Sequence, residues 1–585
     1  MRYLRMLSNS LIAAGVASWY LTTLVLQLNP SIEIGPVTLF PLAAIFGVAY
    51  GANLTVAFYA LIVMRQILEV EVLSPGWLSV RLLSWLCAIA AAVAAALMWL
   101  NLRGFGDFLD PLTRDRMFLS ASLVTASAVG FLGLGLGHLG RRGGRVSGAI
   151  LTSIVVFSLI APVWARGAGR PAPLPGRPTA APIEPVSALS DSHVRLLMFD
   201  GAALDMISPA VAAGRLPNIA RIFDQGAVLH LATLRPTQAE PVWSAIATGR
   251  YPMYNGVRSS VIYRALNGTP IQLLPDYCFA QALVKFGFLT EEPQTSIDLL
   301  ARPIWNILSD HGASVGVIGW PLTYPAPDVD GFAVSDVFHR LPESELSEDA
   351  TPALWPGSLL PKALAALQVP ANPDPVSLVS EMGAPQPVND YDVRRDQAPI
   401  LADRVHLQLL NALDINAPKF MAVRFPGIDA VGHRFLRYAD PSAFGDVSDA
   451  ERARYGGVLN QYYGFLDTLV GREIARLGPN DLLLVVSAFG MEPLSPGKRV
   501  LELMFGNPQI SGTHERAPDG FILALGSAVA AGRPNRASVV DLAPTILYFL
   551  GLPVGRDMDG FARIDLFKTA FTSDKPVTYI PSYGR

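Results

Sequence analysis

The sequence predicts two unlike parts in one chain: an all-α bundle of membrane-crossing helices, then an α/β domain whose mostly parallel sheet is sandwiched by helices. Three observations carry this. Before residue 165, long apolar runs follow one another with few charges between them. Residues 166–193 are crowded with proline. Beyond residue 194, short apolar runs alternate with helical patterns, the mark of strands joined by crossover helices. The composition agrees: 585 residues, 51% hydrophobic and 16% charged, are too apolar for a purely soluble chain. A net charge of −3 offers no basic footprint, so nucleic acid is not an expected partner. The two cysteines, Cys87 in an apolar run and Cys278 in the polar half, disfavour a disulfide and exclude a cysteine-based metal site.

In the first part (residues 1–165), Leu11–Leu28, Leu82–Leu100, Met117–Leu139 and Val146–Trp164 are each long and apolar enough to cross a bilayer. Val37–Met64 is longer than one span needs and carries Gly51-Ala52-Asn53 near its middle. It reads as one tilted or broken helix, or as two re-entrant halves. About five crossings result. Arg2, Arg5, Arg65, Arg81, Arg141, Arg142 and Arg145 fall on one side if the N-terminus is cytoplasmic, against Arg103, Arg114 and Arg116 on the other. An odd number of spans then puts the second half outside the cytoplasm, in an integral protein of a bacterial-type cell membrane. No cluster of ionisable residues lies within the spans, which argues against transport. Residues 166–193, with Pro171, Pro173, Pro175, Pro178, Pro182 and Pro185, read as an extended linker.

In the third part (residues 194–585), strands are expected at Val194–Phe199, Ser314–Ile318, Phe420–Phe425, Leu482–Ser487 and Phe521–Leu525. Sites in such sheets form where loops leave the carboxyl ends of strands. There stand Asp200-Gly201, then Asp429 and His433, then Ser487-Ala488-Phe489-Gly490, while Gly512-Thr513-His514-Glu515 precedes the last strand. The stretch Pro426-Gly427-Ile428-Asp429-Ala430-Val431-Gly432-His433 follows a Pro-Gly break. It sets a carboxylate and an imidazole four residues apart, on one face if the segment is helical. Oxygen and nitrogen donors so placed suit zinc or a similar divalent ion, although the spacing alone is a weak signal.

Leu196-Leu197-Met198-Phe199-Asp200-Gly201 with Gly214-Arg215-Leu216-Pro217-Asn218-Ile219 resembles the opening of the alkaline phosphatase superfamily, in its type I phosphodiesterase and nucleotide pyrophosphatase branch. Thr248-Gly249-Arg250-Tyr251-Pro252, Gly319-Trp320-Pro321-Leu322-Thr323-Tyr324-Pro325, the Asp429–His433 segment and Val540-Asp541-Leu542-Ala543-Pro544-Thr545 continue the likeness across 194–585. The resemblance implies an alkaline-phosphatase-like sheet and a two-metal site for phosphoesters, with a Ser or Thr nucleophile. Carried over, Asp429, His433 and His514 match the ligands of one metal, and Asp200 a ligand of the second. The chain then departs from the pattern. Where the family has Asp-His-Gly, it has Ala488-Phe489-Gly490, and neither methyl nor phenyl binds a cation. The usual nucleophile position falls on Ala239. Thr237, two residues earlier, resembles the placement in ethanolamine-phosphate transferases of glycolipid anchor synthesis, and is the better nucleophile candidate than Ser244; the competing reading is an N-capping hydroxyl. Glu240 and Glu492 could supply replacement carboxylates.

The expected function is therefore a membrane-anchored, metal-dependent phosphodiesterase or phosphotransferase with one or two ions, zinc for preference. Its substrate would be an extracytoplasmic phosphoester, lipid-linked in the reading that explains the surplus of helices, since one span anchors already. The alternative is a catalytically degenerate member of the fold with a binding or assembly role. A sulfatase is disfavoured, because no Cys-x-Pro-x-Arg run is present.

Overall fold

The computed structural model describes residues 2–68, 78–137, 145–169, 189–341, 352–381, 397–414, 416–445, 447–505, 510–514 and 518–584. The chain forms two compact units, Met1–Gly176 with Val261–Pro293, and Arg177–Ser260 with Gln294–Arg585. The proline-rich stretch at 170–188 and Glu515 lie outside the described residues.

The first unit holds five long apolar helices: α1 (Arg2–Leu28), α2 (Pro36–Leu68), α3 (Val80–Gly104), α4 (Pro111–Gly137) and α5 (Arg145–Arg166). The long second run is one continuous helix, with Asn53 spending its amide on the Ala49 carbonyl one turn back. Arg166, at the end of α5, donates from Nε to the Leu26 carbonyl (2.7 Å) and from its terminal amine to the Asn29 carbonyl (2.8 Å). These are carbonyls that the end of a helix leaves without intrahelical partners. The C-terminal ends of α1 and α5 therefore meet, and the chain leaves the bundle at the face opposite its N-terminus.

An excursion from the part of the chain beyond the proline-rich stretch completes this unit. Strands Val261–Ala265, Pro270–Ile271 and Leu289–Pro293 form a small antiparallel sheet. Its Ala265, Ile271, Leu283 and Leu289 pack with Leu26, Ile32, Leu42 and Phe46 of the helical ends. Asn29 closes the join by accepting from the Gln272 and Leu273 amides (2.8 and 3.0 Å) and donating to the Leu273 carbonyl (2.8 Å). Asn101, at the end of α3, exchanges two hydrogen bonds with the Asp276 backbone. Nothing in the polarity of residues 261–293 announces this association.

The second unit is built on a nine-stranded sheet. In chain order its strands are β1 (Val194–Phe199), β2 (Ala227–Ala232), β3 (Val315–Ile318), β4 (Gly331–Val334), β5 (Leu354–Trp355), β6 (Phe420–Phe425), β7 (Leu482–Phe489), β8 (Asp519–Gly526) and β9 (Ala537–Ser538). The spatial order is β9-β2-β8-β7-β1-β6-β3-β4-β5. The central strands β7, β1, β6, β3 and β4 are parallel, whereas β8 and β5 run antiparallel to their neighbours. All six residues of β1 are buried because helices cover both faces, which is why it reads as an apolar run broken only by Arg195, whose charge is paired with Asp414 and Glu473. Leu197, Phe199, Val423, Phe425 and Val485 pack on one side with α7 (Ala398–Leu413), α8 (Gly427–Ala439) and α9 (Val458–Arg476). The other side carries α6 (Ala239–Thr248) and the helix Leu542–Phe549. The expected architecture is met: a mostly parallel sheet between helices, preceded by an apolar helical bundle.

This topology sets the site. Phe199 lies level with Phe425 and Ser487, so β1 and β6 end together and β7 runs two residues beyond them. Because β8 runs the opposite way, the segment that enters it, not the one that leaves it, arrives at that edge. His514 is on that segment.

Candidate metal centre

The strand β6 ends at Phe425, and Pro426 turns the chain directly into α8. The buried Asp403 side chain of α7 accepts from the first helical amide, Gly427 N (2.9 Å), and from the Tyr462 hydroxyl (2.7 Å). A Cβ at Gly427 would lie 2.0 Å from that hydroxyl, so only glycine fits. The first turn of α8 then presents Asp429, and the next turn His433, on one face. Gly432 and Gly512 let α8 lie against the short strand Gly512–Thr513; a Cβ at Gly512 would sit 2.8 Å from the Gly432 carbonyl. The Ser511 amide donates to the His433 carbonyl at 2.7 Å, which fixes this contact.

His514 therefore arrives beside the helix. Ligand atoms of Asp429, His433 and His514 all lie within 4.8 Å of one another. The Nε2 atoms of His433 and His514 stand 3.4 and 3.9 Å from Asp429 Oδ2. The opposite ring atoms are tied to carbonyls: His433 Nδ1 donates to Gly512 O (2.7 Å) and His514 Nδ1 to Thr237 O (3.2 Å). A carbonyl can only accept, so each Nδ1 carries a proton, and each ring turns its Nε2, the atom left to ligate in that tautomer, toward the centre. Burial lowers the pKa of His514 despite the pull of Asp429, which favours the neutral ring. Burial works against the Asp429 carboxylate, but the charges of His433 and His514 in their protonated forms, a hydrogen bond from His433, and Arg424 outweigh it and hold its pKa down to about 2. Asp429 Oδ1 is buried and has no hydrogen-bond partner. The three side chains are 22, 18 and 20% exposed, so solutes can reach them. An orphaned carboxylate oxygen with two oriented imidazoles fits one divalent ion of the zinc type.

Asp200 is placed differently. It lies at the edge next to this centre, with Gly201 (φ +71°) turned so closely onto Asp429 that a Cβ would meet Oδ1 at 2.4 Å. Both of its oxygens are already engaged. Oδ1 accepts from Trp243 Nε1 (2.7 Å), and Oδ2 accepts from Nε (3.0 Å) and a terminal amine of Arg424. Ala488 and Phe489 are fully buried, and the Phe489 ring lies 4.9 Å from that of His514. The residues present do not fit a second metal ion.

Thr237 borders the centre through its carbonyl. Its buried hydroxyl donates to Leu234 O (2.8 Å) rather than capping α6, whose N-cap is Gln238. Ala239 is the first residue of α6, and Ser244 is tied within it to the Pro241 carbonyl. Glu240 is not a solvated surface acid: it accepts from Ser260. Glu492 pairs with Thr513 in a two-stranded ribbon beside His514. Two residues that matter here carried only faint signals in the sequence. Arg424 is a charge inside an otherwise apolar strand, and Trp243 is one aromatic among many.

A sequence model of the type I phosphodiesterase / nucleotide pyrophosphatase family matches residues 194–536. The chain belongs to this family. Its fold is similar to that of murine ectonucleotide pyrophosphatase / phosphodiesterase 5, seen free and as an inactive form in complex with AMP. The latter is 12% identical, over 65% of this chain and 100% of that one, with a TM-score of 0.36. Phosphonoacetate hydrolase from Sinorhizobium meliloti in complex with phosphonoacetate is 19% identical, over 54% of this chain and 62% of that one, with a TM-score of 0.31. No curated protein sequence matches the chain.

Proposed function

We propose that this family member is a membrane-anchored, metal-dependent phosphodiesterase or phosphotransferase acting on an extracytoplasmic phosphoester. The observation that carries the reading is the convergence of Asp429, His433 and His514 with one carboxylate oxygen left orphaned. A zinc-type ion held there would supply Lewis-acid polarisation of a phosphoryl oxygen. The chain's own residues do the rest. Gly512 and Thr237 hold the two imidazoles in the ligating tautomer through their carbonyls. Thr237 is the nucleophile of this reading: its Oγ would attack phosphorus once a rotation about χ1 releases it from the Leu234 carbonyl. As the Oγ–P bond forms, the P–O ester bond breaks, the threonine proton leaves with the ester oxygen as the alcohol, and water or a second alcohol resolves the phosphothreonine.

Two observations support the extracytoplasmic side in this reading. The arginine bias favours a cytoplasmic N-terminus, and the meeting of Leu26 with Arg166 supports an exit of the chain at the opposite end of the bundle. Five apolar helices exceed what anchorage requires, which favours a lipid-linked substrate.

The alternative, a degenerate member kept for binding or assembly, is favoured by the Thr237 hydroxyl facing its own backbone and by the saturation of Asp200. One experiment separates them. The purified full chain in detergent is assayed with a generic phosphodiester, beside Thr237→Ala and His433→Ala. Loss of turnover in both variants supports catalysis, and an inert, metal-free wild type supports the binding role.

A further inference from the structure

Arg424 has no counterpart in any reading of the sequence. It stands one residue before the end of β6, opposite Met198 of β1, in a strand whose other five side chains are buried. Its guanidinium reaches sideways to Asp200 Oδ2 through both Nε and a terminal amine, the forked geometry in which arginine binds a carboxylate most firmly. The Asp200 side chain is 3% exposed and that of Arg424 14%, so the pair is largely desolvated, and Arg424 lies near enough to Asp429 to act on its charge. Among the described residues, Arg424 Nη1 has no hydrogen-bond partner. Glu240 and Asp336 also act electrostatically on the guanidinium, with Arg340 as the opposing cation. The position is thus built around a positive charge, and a protein side chain already supplies it.

We propose that the Arg424 guanidinium, locked on Asp200, takes the place of a second metal ion, so that this family member binds one ion per chain and presents a fixed protein cation beside it. The proposal rests on the reading of Asp429, His433 and His514 as a metal centre. Its logic is electrostatic. An arginine stays charged at any working pH and is not lost to chelators, and its spare N–H groups suit a phosphoryl oxygen. A divalent ion at Asp200 would have to displace it and face it as a like charge. Burying Ala488 and Phe489 at the end of β7 is then consistent, because no further ligands are needed there.

The test counts metal. Full chain in detergent is stripped with a chelator, loaded with excess zinc, desalted, and its zinc measured by mass spectrometry. One zinc per chain is expected. Ala488→Asp with Phe489→His should leave the count at one while Arg424 is present, and adding Arg424→Ala should raise it to two. A count of two in the wild type, or in the double variant with Arg424 in place, overturns the proposal, as does a cooperatively unfolding triple variant that stays at one. A count of zero in the wild type sinks the metal centre itself, a separate failure. As a second readout, inorganic phosphate should bind the zinc-loaded Arg424→Ala chain about tenfold more weakly than the wild type, with Arg424→Lys between them. Equal phosphate affinity in all three also overturns the role.

Discussion

Asp429 can face two imidazoles because Gly201 leaves room for it. At φ +71°, an alanine in place of Gly201 would cost about 1–2 kcal/mol in backbone strain alone. Its methyl would also press on the carboxylate oxygen that has no other partner. Gly201→Ala should therefore weaken zinc binding by about 10–100-fold, as loss of a supporting contact does. A competitive zinc titration of the full chain measures this, and unchanged affinity would mean that Asp429 is not a ligand. At this scale the sequence was partly legible. Asp429 and His433 share a helical face by spacing, while His514 stands out only by its place before the last strand and gains its role as a ligand from the family resemblance. The pairing of Asp200 with Arg424 was not legible, because it depends on which strands lie side by side, and no local pattern encodes that register. The position of the Thr237 hydroxyl was hidden for a similar reason: whether a hydroxyl caps a helix or turns back on its own loop is decided by backbone angles.

The element that matters most is α8, and its start is pinned by Asp403. Burial pushes the pKa of that carboxyl up to about 8, against the hydrogen bonds from Tyr462 and the Gly427 amide, which lower it. The folded protein thus holds a proton that the unfolded chain would release above about pH 3.9. The stabilisation is full below that value and is lost as pH rises through about 8. Asp403→Asn cannot ionise, so its melting temperature should fall less than that of the wild type between about pH 5 and about pH 9. Parallel slopes in thermal melts would show that Asp403 does not titrate there. Strands buried on both faces were the easiest elements to place: Val194–Phe199 and Phe420–Phe425 end as their apolar runs end. The run at Leu482 continues to Phe489, since Ala488 and Phe489, unlike the ligands they replace, extend the apolar pattern. Short edge strands such as Leu354–Trp355 and Ala537–Ser538 are two residues long, too few for any periodicity.

For the whole molecule, the chain order and the spatial order part company at residues 261–293. The sequence suggests a clean succession of bundle, linker and α/β domain. In the structure this excursion belongs with the apolar helices, held by Asn29, Asn101 and a shared apolar cluster. Such an association depends on side chains that are far apart along the chain, so periodicity could not reveal it. Asn29→Ala would strip the buried amide of Leu273 and the half-buried amide of Gln272 of their acceptor, at a cost of about 1–3 kcal/mol. Thermal unfolding of the full chain in detergent should register that loss, and an unchanged transition would show the join to be incidental. It also follows that a fragment starting at residue 194 leaves Ala265, Ile271, Leu283 and Leu289 without their packing partners, so function belongs to the full chain.

The central claim is that Asp429, His433 and His514 hold the metal that drives phosphoester chemistry. The most direct measurement is turnover of bis-p-nitrophenyl phosphate by the full chain as prepared, after chelation, and after zinc is returned. The account predicts activity that falls to background on chelation, recovers with zinc, and does not recover in His433→Ala. Turnover that survives chelation and the loss of His433 would contradict it.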